Sequence, residues 1–333
     1  MEERTGTEQR PEDPPGSAGA QDVPEAPSAS VACRTAVGGL CLLTVGAVLW
    51  LEALGPARWL PAWAEGLTGL RDMVESGLLL ALVVALLAAV ALNEYWFMAR
   101  RMGVGLPRLL LVGAGVVLVL LLWAGWAAKS GALAVCPPQL RQPGTTATAA
   151  VCLAAFAMLS ARVVQGRVGG SVTAAAMFAL GLVYIPVALG FIGSIRTRWD
   201  VRGVLMFVTV CKSTDIGAYY AGKLIGGPRL APHVSPKKTW AGAIGGTALA
   251  TAVALTWGLA GLMPWLSAPQ AVLYGALTGM VAILGDLAES LLKREAGVKD
   301  SGSLLPGAGG VLDMVDDVLF CAPFTYLFFC FTY

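Results

Sequence analysis

Residues 76 to 97 read SGLLLALVVALLAAVALNEYWF, and from Ser76 to Asn93 the run holds no charged side chain. A helix rises about 1.5 Å per residue and the apolar slab of a bilayer is about 30 Å thick, so a run of this length is what a helix needs to cross it. Comparable runs recur near residues 34 to 54, 108 to 128, 148 to 165, 173 to 193, 203 to 223, 240 to 262, 270 to 288 and 317 to 333. Backbone groups in lipid must bond internally, and the runs lack the ten-residue alternation of a barrel strand. The expectation is an all-α, polytopic integral membrane protein with about nine transmembrane helices. The 203 to 223 run departs from the others because Lys212 and Asp215 lie inside it, which points to a helix facing a polar cavity rather than lipid.

Composition agrees with that class. Of 333 residues, 56% are hydrophobic and 13% charged, with mean hydropathy +0.70, against about 25% charged in an average soluble domain. A net charge of +2 is too small for a nucleic-acid partner. The cysteines form no CxxC pair and His233 is the lone histidine, so no zinc site is expected. Residues 1–32 are different material, rich in Pro, Glu, Gly, Ala and Ser, and read as a disordered cytoplasmic tail. The tail lacks the basic start and early apolar stretch of a cleaved signal.

Basic residues in the short loops set the orientation. Arg100, Arg101 and Arg108, then Arg162 and Arg167, then Lys237 and Lys238, then Lys293, Arg294 and Lys299 fall on one side of a nine-span chain, which is therefore expected to be cytoplasmic. Arg196, Arg198 and Arg202 would face the other way.

Chemistry concentrates in Gly285–Asp317, GDLAESLLKREAGVKDSGSLLPGAGGVLDMVDD, where acidic and basic residues crowd against hydrocarbon. Charge at membrane depth is costly and marks function by default. Asp286, Glu289 and Lys293 share a helical face by their spacing, as do Asp313 and Asp316. The glycine-rich segment between them, with Pro306, is a loop able to approach a ligand closely. Carboxylates brought together from Asp286, Asp313 and Asp316 would make hard oxygen ligands for Mg2+, and Mg2+ in turn suits polyphosphate. The plainer alternative is a solvated charged loop whose salt bridges contribute little.

A second cluster runs from Lys212 to Thr239 and then Trp240, KSTDIGAYYAGKLIGGPRLAPHVSPKKTW. Asp215, Tyr219 and Lys223 share a face. Ser235, Lys237, Lys238 and Thr239 precede a new apolar helix, whose N-terminus and basic neighbours offer donors to phosphate. Read plainly, the lysines are positive-inside anchors. Neither cluster is a P-loop, and no histidine relay supports a serine nucleophile.

The terminal cluster resembles the signature of the phosphatidate cytidylyltransferases, also called CDP-diacylglycerol synthases. It carries Ser290, Lys293, Arg294, Lys299, Asp300, Ser301, Gly302, Pro306, Gly307, Gly309, Gly310, Leu312, Asp313 and Asp316 in that family's order. The earlier GDLAES, DIGAYYAGK and VSPKKTWAGAIGG stretches are similar as well, so the resemblance covers roughly residues 205 to 317. Two positions differ, Ala308 standing where the family has histidine and Met314 where it has arginine.

The resemblance implies transfer of CMP from CTP to phosphatidate, giving CDP-diacylglycerol and pyrophosphate. It implies Mg2+, with a second cation such as K+, and a homodimer in the bacterial inner membrane with motif loops on the cytoplasmic side. It divides the chain into N-terminal transmembrane helices over 33–202 and a catalytic transmembrane region over 203–333. Asp215, Asp286, Lys293 and Asp313 would be catalytic, with Asp286, Asp313 and Asp316 as metal ligands. Lys223, Ser235, Lys237, Lys238, Thr239, Arg294, Lys299 and Asp300 would hold nucleotide or phosphate. Another lipid phosphate, ether-linked or polyprenyl, is the neighbouring alternative. An ion-coupled transporter, with Lys212 and Asp215 in a broken helix at the midplane, is the alternative from a different class.

Overall fold

A computed structural model describes residues 46–51, 54, 68–129, 142–304 and 309–333. The expected tail, and most of the 34 to 54 run, lie outside the described residues; within that run, 46–51 are helical. Nine helices follow: α1 (Thr68–Glu75), α2 (Leu78–Arg101), α3 (Arg108–Lys129), α4 (Pro143–Val164), α5 (Ser171–Leu182), α6 (Ala188–Leu224), α7 (Trp240–Leu259), α8 (Ala268–Glu295) and α9 (Leu312–Thr332).

Local chemistry sets the ends of these helices. Gly77, at φ 88°, starts α2, and Arg100 and Arg101 sit in its last turn, where the helix dipole favours cations. Pro143 occupies the first turn of α4, where its missing N–H costs nothing. At the start of α8 the Gln270 side-chain oxygen accepts from the Ser267 backbone N–H at 2.9 Å.

Among the described residues, seven helical stretches are long and apolar enough to cross a membrane. The longest, Ser171–Leu224, has 54 residues and would reach about 81 Å if straight, far more than one crossing requires. It passes through a π-helical turn at Val183–Val187 that accommodates Pro186, and it breaks at Trp199 and Asp200. Asp200, at φ 62°, is the only non-glycine residue with positive φ among those described. Arg196 holds the break with a 3.2 Å ion pair to Asp200, and Trp199 packs edge-on against Tyr326 and Phe329 of α9. The two arms match the separate runs read near 173 to 193 and 203 to 223.

The second arm stays helical through Lys212 and Asp215. The broken midplane helix of the transporter reading is absent from this position.

Glycine brings the helices of the C-terminal half into backbone contact. A Cβ on Gly217 of α6 would stand 2.7 Å from the Gly245 carbonyl oxygen of α7, and one on Gly246 would stand 2.6 Å from the Thr214 carbonyl oxygen. In lipid, where apolar burial gives no drive for helices to associate, this close approach is what packing uses. Gly285 of α8 plays the same part against the Asp316 carbonyl oxygen of α9 at 2.8 Å.

The α6–α7 connection is an antiparallel hairpin of β1 (Arg229–Ala231) and β2 (Ser235–Thr239), pairing Arg229 with Thr239 and Ala231 with Ser235. It is a small exception to an otherwise all-α fold. The basic loops gather at one end of the bundle: Arg162 donates to the Gly105 carbonyl at 2.8 Å, and Arg294 to the Val234 carbonyl at 3.2 Å. At the opposite end Arg198 meets Cys330, where the sequence had placed the dissenting arginines.

Candidate active site

Three helices and the hairpin build the site. α8 presents Asp286, Glu289 and Lys293 on one face, as their spacing required, and α9 opens on Asp313, Asp316 and Asp317. α6 contributes Lys212 and Asp215, and β2 contributes Lys238.

Lys238 Nζ lies 2.5 Å from Asp286 Oδ2, so the two sequence clusters do meet. Lys212, half-buried between α6 and α9, donates to Asp317 Oδ1 at 2.7 Å and to the Met314 carbonyl at 2.8 Å, and its Nζ stands 3.5 Å from Asp215. The Cys211 thiol donates to the other Asp317 oxygen at 3.0 Å. Asp316 is buried within electrostatic reach of Asp317, Asp286, Lys212 and Asp215, and its Oδ1 accepts from the Asp317 backbone N–H.

Asp313 lies in a second group. Its Oδ1 accepts from Lys293 at 2.7 Å, and its Oδ2 from Gly310 N–H at 2.7 Å, Ser301 N–H at 2.9 Å and the Ser301 hydroxyl at 3.0 Å. Lys293 also pairs with Glu289, whose side chain is wholly buried. The expected carboxylate set is therefore divided: Asp286 and Asp316 fall together with Asp215 and Asp317, whereas Asp313 is committed to the loop and to Lys293. Among the described residues no three acidic, histidine or cysteine side chains already stand as a metal-binding group.

The remaining expected residues take varied places. Thr239 is the N-cap of α7, its hydroxyl oxygen accepting from Gly242 N–H at 3.1 Å, so that acceptor is used by the helix. Arg294 spends its guanidinium on the Val234 and Val298 carbonyls, fastening the hairpin to the end of α8. Lys223 is exposed, with its ammonium over the Tyr219 ring at 5.6 Å. Lys237, Lys299 and Asp300 are exposed at the same end of the bundle, and Ser235 is half-buried. Ala308 lies outside the described residues.

Sequence reasoning passed over two residues. Asp317 was hidden by its position next to Asp316, and only the rotation of α9 reveals that it faces Lys212. Glu94 closes an otherwise uncharged run of α2 and is buried against the Gly-rich loop. A lone carboxylate inside a crossing helix was its only signal.

Comparison with known proteins gives residues 57–332 as a match to the cytidylyltransferase family. A phosphatidate cytidylyltransferase of Brucella suis is 48% identical over 125 residues, covering 38% of this chain and 46% of the relative. One from Bacillus subtilis is 38% identical over 149 residues, 44% of this chain and 55% of the relative. The chloroplastic phosphatidate cytidylyltransferase 5 of Arabidopsis thaliana is 39% identical over 136 residues, 40% and 33% respectively. The chain thus spans about half the length of the first of these relatives.

Proposed function

Because the chain belongs to the cytidylyltransferase family, we propose that it transfers the CMP unit of CTP to phosphatidate, giving CDP-diacylglycerol and pyrophosphate. The observation that carries this reading is the meeting of Lys238 with Asp286, which joins the two motif segments at one end of a membrane bundle. A lipid headgroup and a water-soluble nucleotide must meet at such an end.

In the proposed reaction a phosphate oxygen of phosphatidate attacks the α-phosphorus of CTP. The new P–O bond forms as the bond from the α-phosphorus to the bridging oxygen breaks, and the electron pair leaves with pyrophosphate. The nucleophile is already ionised near neutrality, so no general base is needed. The protein's task is to hold two anions in line. Lys238 and Lys293 supply positive charge beside the carboxylates, and Lys237, Arg294 and Lys299 extend the basic field to the bundle end, where the nucleotide enters.

These side chains are of the oxygen-donor type a divalent cation takes, and among the described residues they do not yet stand together as a metal-binding group. By residue type Asp215, Asp286, Asp316 and Asp317 outnumber Lys212 and Lys238, four acids to two bases. That excess, on hard oxygen donors, suits Mg2+. Asp286 and Asp316, with Asp215, would hold it, and when bound it would neutralise charge on the phosphates and the leaving group. Asp313 is assigned to holding the loop and orienting Lys293.

We propose that the basic loops face the cytoplasm, as the positive-inside bias favours, in a bacterial inner membrane. A homodimer is proposed on the same footing, with the little-buried α4 as a surface available to a second copy. The test is turnover of labelled CTP by purified protein in detergent with Mg2+ and phosphatidate. A lipid-extractable cytidine product is expected. Product formed only with polyprenyl or ether-lipid phosphates would move the assignment to another lipid, and no product with any lipid phosphate would overturn it.

A further inference from the structure

The Glu94 carboxylate lies within the protein, 6% exposed, about two turns before the end of α2, and the hydrogen bonds it accepts come from residues more than two hundred positions later. Its Oε1 accepts from Val311 N–H at 2.9 Å, and its Oε2 from Leu312 N–H at 2.8 Å and from the Ser301 hydroxyl at 2.9 Å. The first N–H groups of a helix have no partner within it, and negative charge is favoured there. At α9, whose own first turn carries Asp313, the Val311 and Leu312 N–H groups take their acceptor from another helix, since Val311 offers no side-chain cap of its own.

The glycines of the loop are shaped to this carboxylate. A Cβ on Gly302 would lie 2.6 Å from Glu94 Oε1, and one on Gly310 would collide with both Ser301 Oγ and Glu94 Oε2. Ser301 stands between Glu94 and Asp313, within 3.0 Å of each, and has one hydroxyl proton to share between them. Asp313 in turn receives Lys293. A continuous chain of polar contacts therefore runs from α2 to the basic residue on α8.

We propose that Glu94 is a positioning residue for the site: its carboxylate is the post around which Ser301, Gly302 and Gly310 are folded, and through Ser301 it aims Asp313 and Lys293. The proposal rests on the cytidylyltransferase reading for its kinetic arm alone. Glutamine offers a single acceptor oxygen and turns an amide N–H₂ toward backbone N–H groups, so Glu94→Gln breaks the arrangement without changing its size. Glu94→Asp keeps the charge and shortens the reach.

The test compares Glu94→Gln, Glu94→Asp, Ser301→Ala and the Glu94→Gln/Ser301→Ala double variant with the parent protein in detergent. Without substrate, amide exchange at Val311 and Leu312 should rise in Glu94→Gln while exchange in the middle of α3 stays unchanged. With substrates, kcat should fall about 100-fold, the cost of a displacement of roughly 1 Å, with KM for CTP held within about threefold. Glu94→Asp should recover part of that loss, and the double variant should be no worse than Glu94→Gln, as members of one network behave. Parental exchange at Val311 and Leu312 in Glu94→Gln would overturn the proposal, as would additive losses in the double variant. If the parent protein turns over no lipid phosphate, the reaction assignment fails and the exchange measurement still decides the role of Glu94. Should Glu94→Gln not fold, exchange in Glu94→Asp and kcat in Ser301→Ala decide it, and parental values in both would refute it.

Discussion

Lys212 of α6 and Asp317 of α9 form an ion pair 2.7 Å long in which the carboxylate has no exposure at all. Each residue is expensive to place inside a membrane bundle alone; together, with the Cys211 thiol and the Met314 carbonyl completing their contacts, they fasten two helices at the depth of the site.

Removing one partner strands the other charge, wholly buried for Asp317 and half-buried for Lys212. Lys212→Met and Asp317→Asn are each expected to cost about 3–5 kcal/mol. A Lys212→Met/Asp317→Leu double variant should be more stable than either single change. Thermal unfolding in detergent measures this, and a double variant no more stable than the worse single one would count against the pair.

Magnesium dependence separates the two carboxylate groups. Asp286→Asn and Asp316→Asn should raise the Mg2+ concentration for half-maximal rate by about tenfold or more, the loss of one charged ligand contact. Asp313→Asn should instead lower kcat about 100-fold with the Mg2+ titration little moved, since its oxygens hold Ser301, Gly310 and Lys293. A displaced titration in Asp313→Asn would return it to the metal.

Lys238 is partly exposed, and its pair with Asp286 adds little to stability, about 0–1 kcal/mol. Lys238→Ala should therefore melt close to the parent protein while losing at least about tenfold in kcat/KM for CTP, the loss of one charge-assisted phosphate contact. Parallel measurement of melting and turnover checks the separation, and a large fall in melting temperature would assign Lys238 to the scaffold.

Gly246→Ala places a methyl group against the Thr214 carbonyl oxygen and Ala218. Forcing α6 and α7 apart should cost about 1–3 kcal/mol, as overpacking does, and reduce the folded yield. Gly193, where a Cβ meets nothing within 4 Å, is the control position.

The crossing helices were legible because hydropathy over about 20 residues is a strong signal. The shared face of Asp286, Glu289 and Lys293 was legible because helical spacing fixes it. Rotation of one helix about its axis relative to another is not written in spacing, so Asp317 rather than its neighbour as the partner of Lys212 could not be read. Nor could the hairpin: Pro232 and Pro236 argue against strands, and only the register of Arg229 with Thr239 shows how a short edge ribbon accommodates them. The resemblance implied a phosphate contact for Thr239, and its second use, capping α7 through the same hydroxyl, became visible only with the start of that helix in place. Glu94 was hidden by its company, since one acid near Tyr95 and Trp96, about two turns from a helix end, resembles an ordinary membrane-interface residue.

The link between Glu94 and Ser301 also sets an order of events during biosynthesis. The ribosome makes α2 long before the loop, so the nascent helix enters the membrane with an acidic side chain whose partners do not yet exist. Its donors arrive only with the segment leading into α9. A polypeptide halted before Ser301 would hold the Glu94 carboxylate without the three donors that meet it in the folded protein.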